Sequence, residues 1–98
     1  MLFAMTYTAR NPTEKKDKRS LNLFLHWKPP SGYVFKSHYA LADGTGGIGI
    51  IESSSAEAIL EAHSPWAPFF DFRIVPLVEI DKAVPIFQRV NEWRDSIG

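Results

Sequence analysis

A glycine-rich hexapeptide, GTGGIG at residues 44–49, constrains the fold of this chain more than any other stretch. Its spacing matches G-x-G-x-x-G, which in dinucleotide-binding folds leads from a strand into a helix that holds a pyrophosphate. Here the chain continues as GIGII over residues 47–51, and glycine and β-branched residues are poor helix formers. The sequence ADGTG has the composition of a hairpin loop instead. We therefore predict a β-hairpin and no nucleotide cofactor.

Strand and helix signals alternate around this hairpin. Runs of aromatic, β-branched and apolar residues predict strands at 2–9, 33–42, 47–53 and about 69–80. Helices are predicted after Asn11, taken as an N-cap, and after Ser54, which opens a capping box before AEAILEAH. A third helix is predicted at about 82–97, with Pro85 in its first turn and an apolar stripe formed by Ile86, Val90, Trp93 and Ile97.

The order strand-helix-strand-strand-helix-strand predicts the fold class. It is the split βαβ, or ferredoxin-like, pattern of an α+β protein, here followed by a C-terminal helix. Right-handed crossovers give an antiparallel sheet in the order 4-1-3-2, and Pro76 suits the fourth strand because that strand lies at an edge. The length of 98 residues is that of a single domain, 1–98.

Side-chain alternation along the hairpin predicts the two faces of the sheet. With a five-residue loop, Lys36 stands opposite Glu52 and His38 opposite Ile50. The face to be covered by helices then carries Phe3, Met5, Tyr7, Phe35, Tyr39, Ile51, Phe70, Phe72 and Ile74. The other, open face carries Ala4, Thr6, Thr8, Lys36, His38, Ile48, Ile50, Glu52, Asp71, Arg73 and Val75.

The open face predicts the partner and the binding site. Exposed Ile48, Ile50 and Val75 would be covered if the same face of a second copy packed on them, so we expect a homodimer through the open sheet faces. The space between the two sheets is then the predicted cavity for a small, largely apolar molecule.

The polar residues of the open face are the candidate site residues. His38 is the candidate general base, because its unperturbed pKa lies near neutrality, although such a histidine is more often a hydrogen-bonded face residue. Lys36 and Glu52 are interpreted first as a cross-strand ion pair and second as binding residues. Arg73 and Asp71 would anchor a carboxylate or pair with the partner subunit, and Thr6 would bind beside them.

Other aromatic and histidine residues have structural interpretations. Tyr7 and Tyr39 are predicted core residues, and Trp66 is a predicted packing anchor at the rim of the sheet. His26 and His63 are predicted near helix C-termini, where an imidazolium is favoured by the helix dipole. The histidines lack H-x-x-x-H spacing, so we expect no metal site.

Composition excludes several classes of partner. Eleven basic and eleven acidic residues leave no net charge, so neither nucleic acid nor an anionic membrane is an expected partner. The absence of cysteine excludes disulfides and thiolate chemistry and is typical of a cytoplasmic protein. No apolar run reaches the length of a membrane span, and the first residues do not form a secretory signal.

Four stretches resemble a known family: MLFAMTYT at the start, W-x-P-P-x-G at 27–32, DG-x-GG followed by IIE, and PWAPFFDFRIVP at 65–76. They are similar to a family of small bacterial proteins of unknown function in the dimeric α+β barrel superfamily. Over about residues 1–80, this resemblance implies ferredoxin-like protomers whose sheets pair face to face. The superfamily includes cofactor-free monooxygenases, isomerases and haem enzymes, but none of their catalytic motifs can be placed on these residues.

Two functions therefore remain open. The first is a cofactor-independent enzyme, such as a monooxygenase or isomerase, in which His38 acts as base and Arg73 or Thr6 holds a developing oxyanion. The second is a non-catalytic ligand-binding or interaction module. The enzyme hypothesis depends on superfamily analogy alone.

Overall fold

A computed structural model describes all of residues 1–98 and shows an α+β fold with four strands and three helices. The elements are β1 (Leu2–Ala9), α1 (Glu14–Leu25), β2 (Tyr33–Ala40), β3 (Gly46–Ser53), α2 (Ala56–His63), β4 (Phe70–Pro76) and α3 (Ile80–Ile97), with a 3-10 turn at Ser64–Trp66. All strands pair antiparallel in the order β2-β3-β1-β4. This is the predicted ferredoxin-like order, which is thereby confirmed. None of the helices combines the length and apolar character needed to cross a membrane.

The helix starts follow from their caps. Thr13 accepts a hydrogen bond from the Lys16 N–H at 3.1 Å, so α1 begins at Glu14. The prediction of Asn11 as the N-cap was wrong, because Asn11 takes a left-handed backbone conformation with φ 44° two residues earlier. The predicted helix AEAILEAH is confirmed as α2, but its N-cap is Ser55, which accepts from the Ala58 N–H, and not Ser54, where the predicted capping box began.

The glycine-rich stretch forms the predicted hairpin. Its loop covers residues 41–45, where Asp43 accepts hydrogen bonds from the backbone N–H and the hydroxyl of Thr45. Gly44 has φ +77°, a conformation that a residue with a side chain rarely adopts. The chain then enters β3 directly, so there is no helix N-terminus after the glycines to hold a phosphate.

The register of this hairpin differs from the prediction. Glu52 lies opposite Val34, and His38 lies opposite Gly49 instead of Ile50. The hairpin is one residue tighter than predicted, which pairs His38 with Gly49, and a β-bulge between Phe35 and Ser37 adds one residue to β2 and shifts the pairing of Val34 by one more.

The bulge reverses the faces of the strand that follows it. His38 and Tyr39 exchange places relative to the prediction: His38 lies on the helix-covered face and Tyr39, 65% exposed, on the open face. The other residues assigned to the two faces lie where they were predicted.

The two helices that cover the sheet do so unequally. The buried cluster consists of Tyr33, Ile51, Ala58 and Ala62, so α2 packs directly on the sheet. In contrast, α1 has no buried residue. It is tied to the rest of the molecule through the Trp66 indole N–H, which donates to the Ser20 carbonyl at 3.2 Å. A space therefore remains between α1 and the sheet.

The C-terminal helix projects from the body of the molecule. It begins at Ile80, two residues earlier than predicted, so Pro85 lies past the first turn and not within it. Ala83 is its only buried residue. The radius of gyration is 17.6 Å, against about 13 Å for a compact chain of this length. The longest dimension, 57 Å, reflects this projecting helix.

Candidate functional site

The space between α1 and the sheet is a cavity of about 430 Å³. The residues that line it come from every element except α3, and fourteen of the twenty are hydrophobic. Its polar side chains include two tyrosines and two histidines. The cavity thus combines an apolar lining with a few converging polar groups, which is typical of small-molecule sites.

Two residues of β3 on the helix-covered face have no side chain. Gly47 and Gly49 face the helices, between β1 and β2. A Cβ atom at Gly47 would overlap the phenol ring of Tyr7, and one at Gly49 would lie 3.2 Å from the Met5 methyl. The Tyr7 ring therefore lies across β3 and reaches a residue of β2.

That residue is His38. Tyr7 Oη and His38 Nε2 are 2.8 Å apart, and the imidazole ring stacks on Phe35 with a centroid separation of 4.4 Å and an interplanar angle of 1°. Burial raises the pKa of Tyr7 and lowers the pKa of His38. Both shifts favour the neutral pair, in which the phenol donates its proton to the Nε2 lone pair when His38 carries its own proton on Nδ1.

A second tyrosine–histidine pair lies deeper in the cavity. Tyr33 Oη and His63 Nε2 are also 2.8 Å apart. Burial, together with charge repulsion from the nearby His38, lowers the pKa of His63 to about 4. Burial also raises the pKa of Tyr33. At neutral pH both pairs are therefore uncharged, and the cation predicted for His63 at its helix C-terminus is not favoured.

Aromatic rings form the walls. The indoles of Trp27 and Trp66 meet edge to face with centroids 5.1 Å apart, and Phe24 of α1 contacts both. The His63 ring meets Phe72 edge to face at 4.7 Å. Contacts of this geometry stabilise a ring arrangement beyond its buried area. The walls are thus suited to a flat, apolar ligand.

The cavity has little formal charge. Asp17, which is exposed, is the only lining residue that is charged at neutral pH. No three histidine, aspartate or glutamate side chains come together as a metal site anywhere in the chain. The site can therefore offer apolar contact and neutral hydrogen bonds.

The five predicted binding residues lie on the opposite face of the sheet. Lys36 and Glu52 form the predicted ion pair at 3.3 Å, although they are not directly opposite each other. Asp71 pairs with Arg10 at 2.8 Å and not with Arg73. Thr6 lies between Arg73 on β4 and Ile48 on β3. The prediction that His38 shares a concave space with Lys36, Glu52 and Arg73 was wrong, because the bulge turns His38 to the other face.

Sequence reasoning missed Tyr7, Tyr33 and His63 as members of one cavity. A usable signal was present, because tyrosine hydroxyls on a helix-covered face need hydrogen-bond partners. The two tyrosine–histidine pairs join residues that are 31 and 30 positions apart in the sequence. Periodicity within one strand or helix does not reveal which distant residues meet.

Comparison with known proteins identifies the family but no activity. A search of the curated proteins found no match to this chain. Residues 1–91 match the model of a domain family described as a domain of unknown function, DUF3303. The matched region includes the whole sheet, α1, α2 and therefore the cavity. We conclude that this chain belongs to the DUF3303 family.

Proposed function

We propose that this protein binds a small, neutral, largely apolar molecule that carries a hydroxyl group, in the cavity between α1 and the sheet. The observation that carries the proposal is the hydrogen-bonded Tyr7–His38 pair, which lies in the lining of an otherwise mainly aromatic cavity. This is the ligand class predicted from the sequence, placed under the helices instead of between two sheets.

The volume of the cavity supports a ligand of about two rings. An engineered apolar cavity of roughly 150 Å³ holds one benzene molecule. The cavity here is about 430 Å³, and its walls are flat aromatic rings. A fused two-ring molecule is therefore a suitable occupant.

The electrostatics support a neutral ligand with a hydroxyl group. With His38 in the Nδ1–H tautomer, the Tyr7 hydroxyl donates to Nε2 and keeps lone pairs that can accept a hydrogen bond from the ligand. An anionic ligand would lose its hydration without meeting a cation, since no lysine or arginine lines the cavity. A carboxylate should therefore bind poorly.

Proton transfer is a second candidate function, and the Tyr7–His38 hydrogen bond is the observation in its favour. A weakly acidic substrate would give its proton to Tyr7 Oη while the Tyr7 proton moves to Nε2 of His38, leaving a substrate anion and an imidazolium. His38 would then have the predicted role of base, but on the helix-covered face of the sheet instead of the open face. Its lowered pKa makes it a weak base, so binding without chemistry is the better supported function.

Three matched probes test the proposed ligand class: 2-naphthol, naphthalene and 2-naphthoate, titrated calorimetrically at pH 7. We expect 2-naphthol to bind roughly fivefold more tightly than naphthalene, because a neutral hydrogen bond contributes about 1 kcal/mol. 2-Naphthoate should not bind measurably. Tyr7→Phe should remove the preference for 2-naphthol, whereas Tyr39→Phe, on the open face, should keep it. Tighter binding of 2-naphthoate would contradict the proposal.

We also propose the predicted homodimer through the open sheet faces. On that face Tyr39, Ile48 and Val75 are 65%, 41% and 39% exposed, and no helix of the same chain covers them. A second copy would bury them, together with Val34. Thr6 and Arg73 would then face the partner, as predicted. Sedimentation should show a dimer at micromolar concentration, and Ile48→Glu should weaken it, whereas a monomeric wild type would contradict this proposal.

A further inference from the structure

Beyond Ala83, which is buried, the apolar stripe of α3 is uncovered by its own chain. Ala83, Ile86, Val90, Trp93 and Ile97 follow the alternating spacing of three and four residues that places side chains along one seam of a helix. Trp93 is 65% exposed and Ile97 71%. The opposite side carries polar residues such as Asp81, Gln88 and Glu92. In proteins most of the stability of a helix comes from packing of its apolar face, so the stripe requires a cover.

We propose that α3 of one copy packs its apolar stripe on a second copy of this chain and extends the dimer interface beyond the sheet. This inference rests on the proposed homodimer. It adds an element that the sheet-face dimer does not use, and it gives the projecting helix a specific partner.

The area needed by a stable dimer favours this arrangement. Four strands of seven or eight residues give an open face of roughly 500 Å², at about 4.8 Å between strands and 3.3 Å per residue. One side of the 18-residue α3 adds roughly 270 Å², for a helix with a rise of about 1.5 Å per residue and a width of about 10 Å. A standard interface buries about 800 Å² per partner. The sheet face or the helix alone falls short of this value, whereas together they approach it.

The two surfaces are continuous along the chain. Exposed apolar residues lead from the open face to the helix: Val75 in β4, then Leu77 and Val78 in the connection, then Ile80 at the start of α3. The Leu77 N–H still donates to the Leu2 carbonyl at 2.9 Å, which fixes where the connection leaves the sheet. A second copy on the open face would therefore lie at the base of α3.

The charges of α3 also favour a copy of the same chain over other occupants. The helix has three acidic and three basic residues, so two copies approach without net repulsion. A helix that lies on an anionic membrane surface would instead be rich in lysine and arginine on its polar face. In the structure α3 projects away from its own body, which argues against packing within the chain.

The test combines sedimentation velocity at micromolar concentration with amide hydrogen exchange of the full chain. We expect wild type to dimerise and the amides of α3 to gain protection as protein concentration rises. Val90→Glu in the stripe should weaken dimerisation by roughly 100-fold, because it would bury an unpaired carboxylate. Gln88→Glu, on the polar side of the same helix, should leave the dimer unchanged.

The remaining outcomes separate failure of this inference from failure of the sheet-face dimer. If Val90→Glu leaves the dimer intact with unprotected α3 amides while Ile48→Glu dissolves it, α3 has no role and the sheet dimer stands. If α3 is protected at every concentration in a monomer, the helix packs on its own chain and the inference is overturned. A wild type that is monomeric with unprotected α3 overturns both proposals.

Discussion

The hydroxyl of Tyr7 and the Nε2 atom of His38 lie 2.8 Å apart, although the strand between them, β3, separates β1 from β2. Two neighbouring side chains on β3 would normally fill that space. Here they are replaced by Gly47 and Gly49, and the Tyr7 ring occupies the room. The glycines that resemble a phosphate loop therefore have a different role, which is to admit an aromatic ring.

Gly47→Ala should expel the Tyr7 ring from this position. The added Cβ atom would overlap the phenol ring and its hydroxyl, so we expect a loss of about 1–3 kcal/mol in the free energy of unfolding, measured in urea. Binding of 2-naphthol should fall as well. Gly49→Ala is the matched comparison on the same strand. A Cβ atom there would lie 3.0 Å from the Ser37 carbonyl oxygen and 3.2 Å from the flexible Met5 methyl but would overlap no ring, so the substitution should cost less. Equal costs would indicate a general intolerance of alanine in β3.

Acid should destabilise the protein through His63. Its pKa is lowered from 6.5 to about 4 by burial, so between these values the unfolded chain binds a proton that the folded chain does not. The free energy of unfolding therefore falls as the pH drops from 6.5 to 4. We expect roughly 2 kcal/mol, which is less than the full shift implies because solvent screens a partly exposed group.

A comparison of two histidine variants tests whether His63 causes this loss of stability in acid. His63→Gln should flatten the pH dependence in urea unfolding over that window. His26→Gln, which removes an exposed imidazole at the C-cap of α1, should retain the wild-type slope. An unchanged slope in His63→Gln would show that His63 does not titrate in this way.

Deletion of Lys36 should be tolerated. Lys36 is the extra residue of the bulge, so its removal leaves Phe35 and His38 on the same face and restores regular pairing with β3. The lost ion pair with Glu52 is exposed, and we expect a cost of no more than about 1 kcal/mol.

The control is deletion of Val34, before the bulge in the same strand. That deletion would shift the buried Tyr33 out of register and should cost at least about 3 kcal/mol. Urea unfolding measures both costs. Carbon-13 spectra of the His38 ring would report whether the hydrogen bond with Tyr7 survives in the Lys36 deletion, and its loss would contradict the role assigned to the bulge.

The sequence was sufficient for the order of elements and most of the two faces, because strand periodicity and capping residues are local signals. It was insufficient for the face of His38. The segment Phe35-Lys36-Ser37-His38-Tyr39 alternates regularly, and regular alternation places Tyr39 inside and His38 outside. One inserted residue reverses that assignment without any change in composition.

The sequence also did not predict that α3 projects from the rest of the molecule. Its stripe of apolar residues predicts a helix that packs on something, but periodicity does not state whether the partner is the same chain or another. The cavity was missed for a related reason. Its existence depends on the separation between α1 and the sheet, and that separation is a tertiary property of Trp66, Phe24 and the glycines of β3.

The most direct test of the proposed site is the location of bound 2-naphthol by intermolecular nuclear Overhauser effects in isotope-labelled protein. We predict contacts from the naphthol ring protons to the rings of Phe35, Trp27 and Tyr7, with the His38 ring resonances shifting in the same titration. No contact should reach Tyr39 or Ile48 on the open face. Contacts confined to the open face, or no saturable contact with the cavity residues, would contradict a ligand site under the helices.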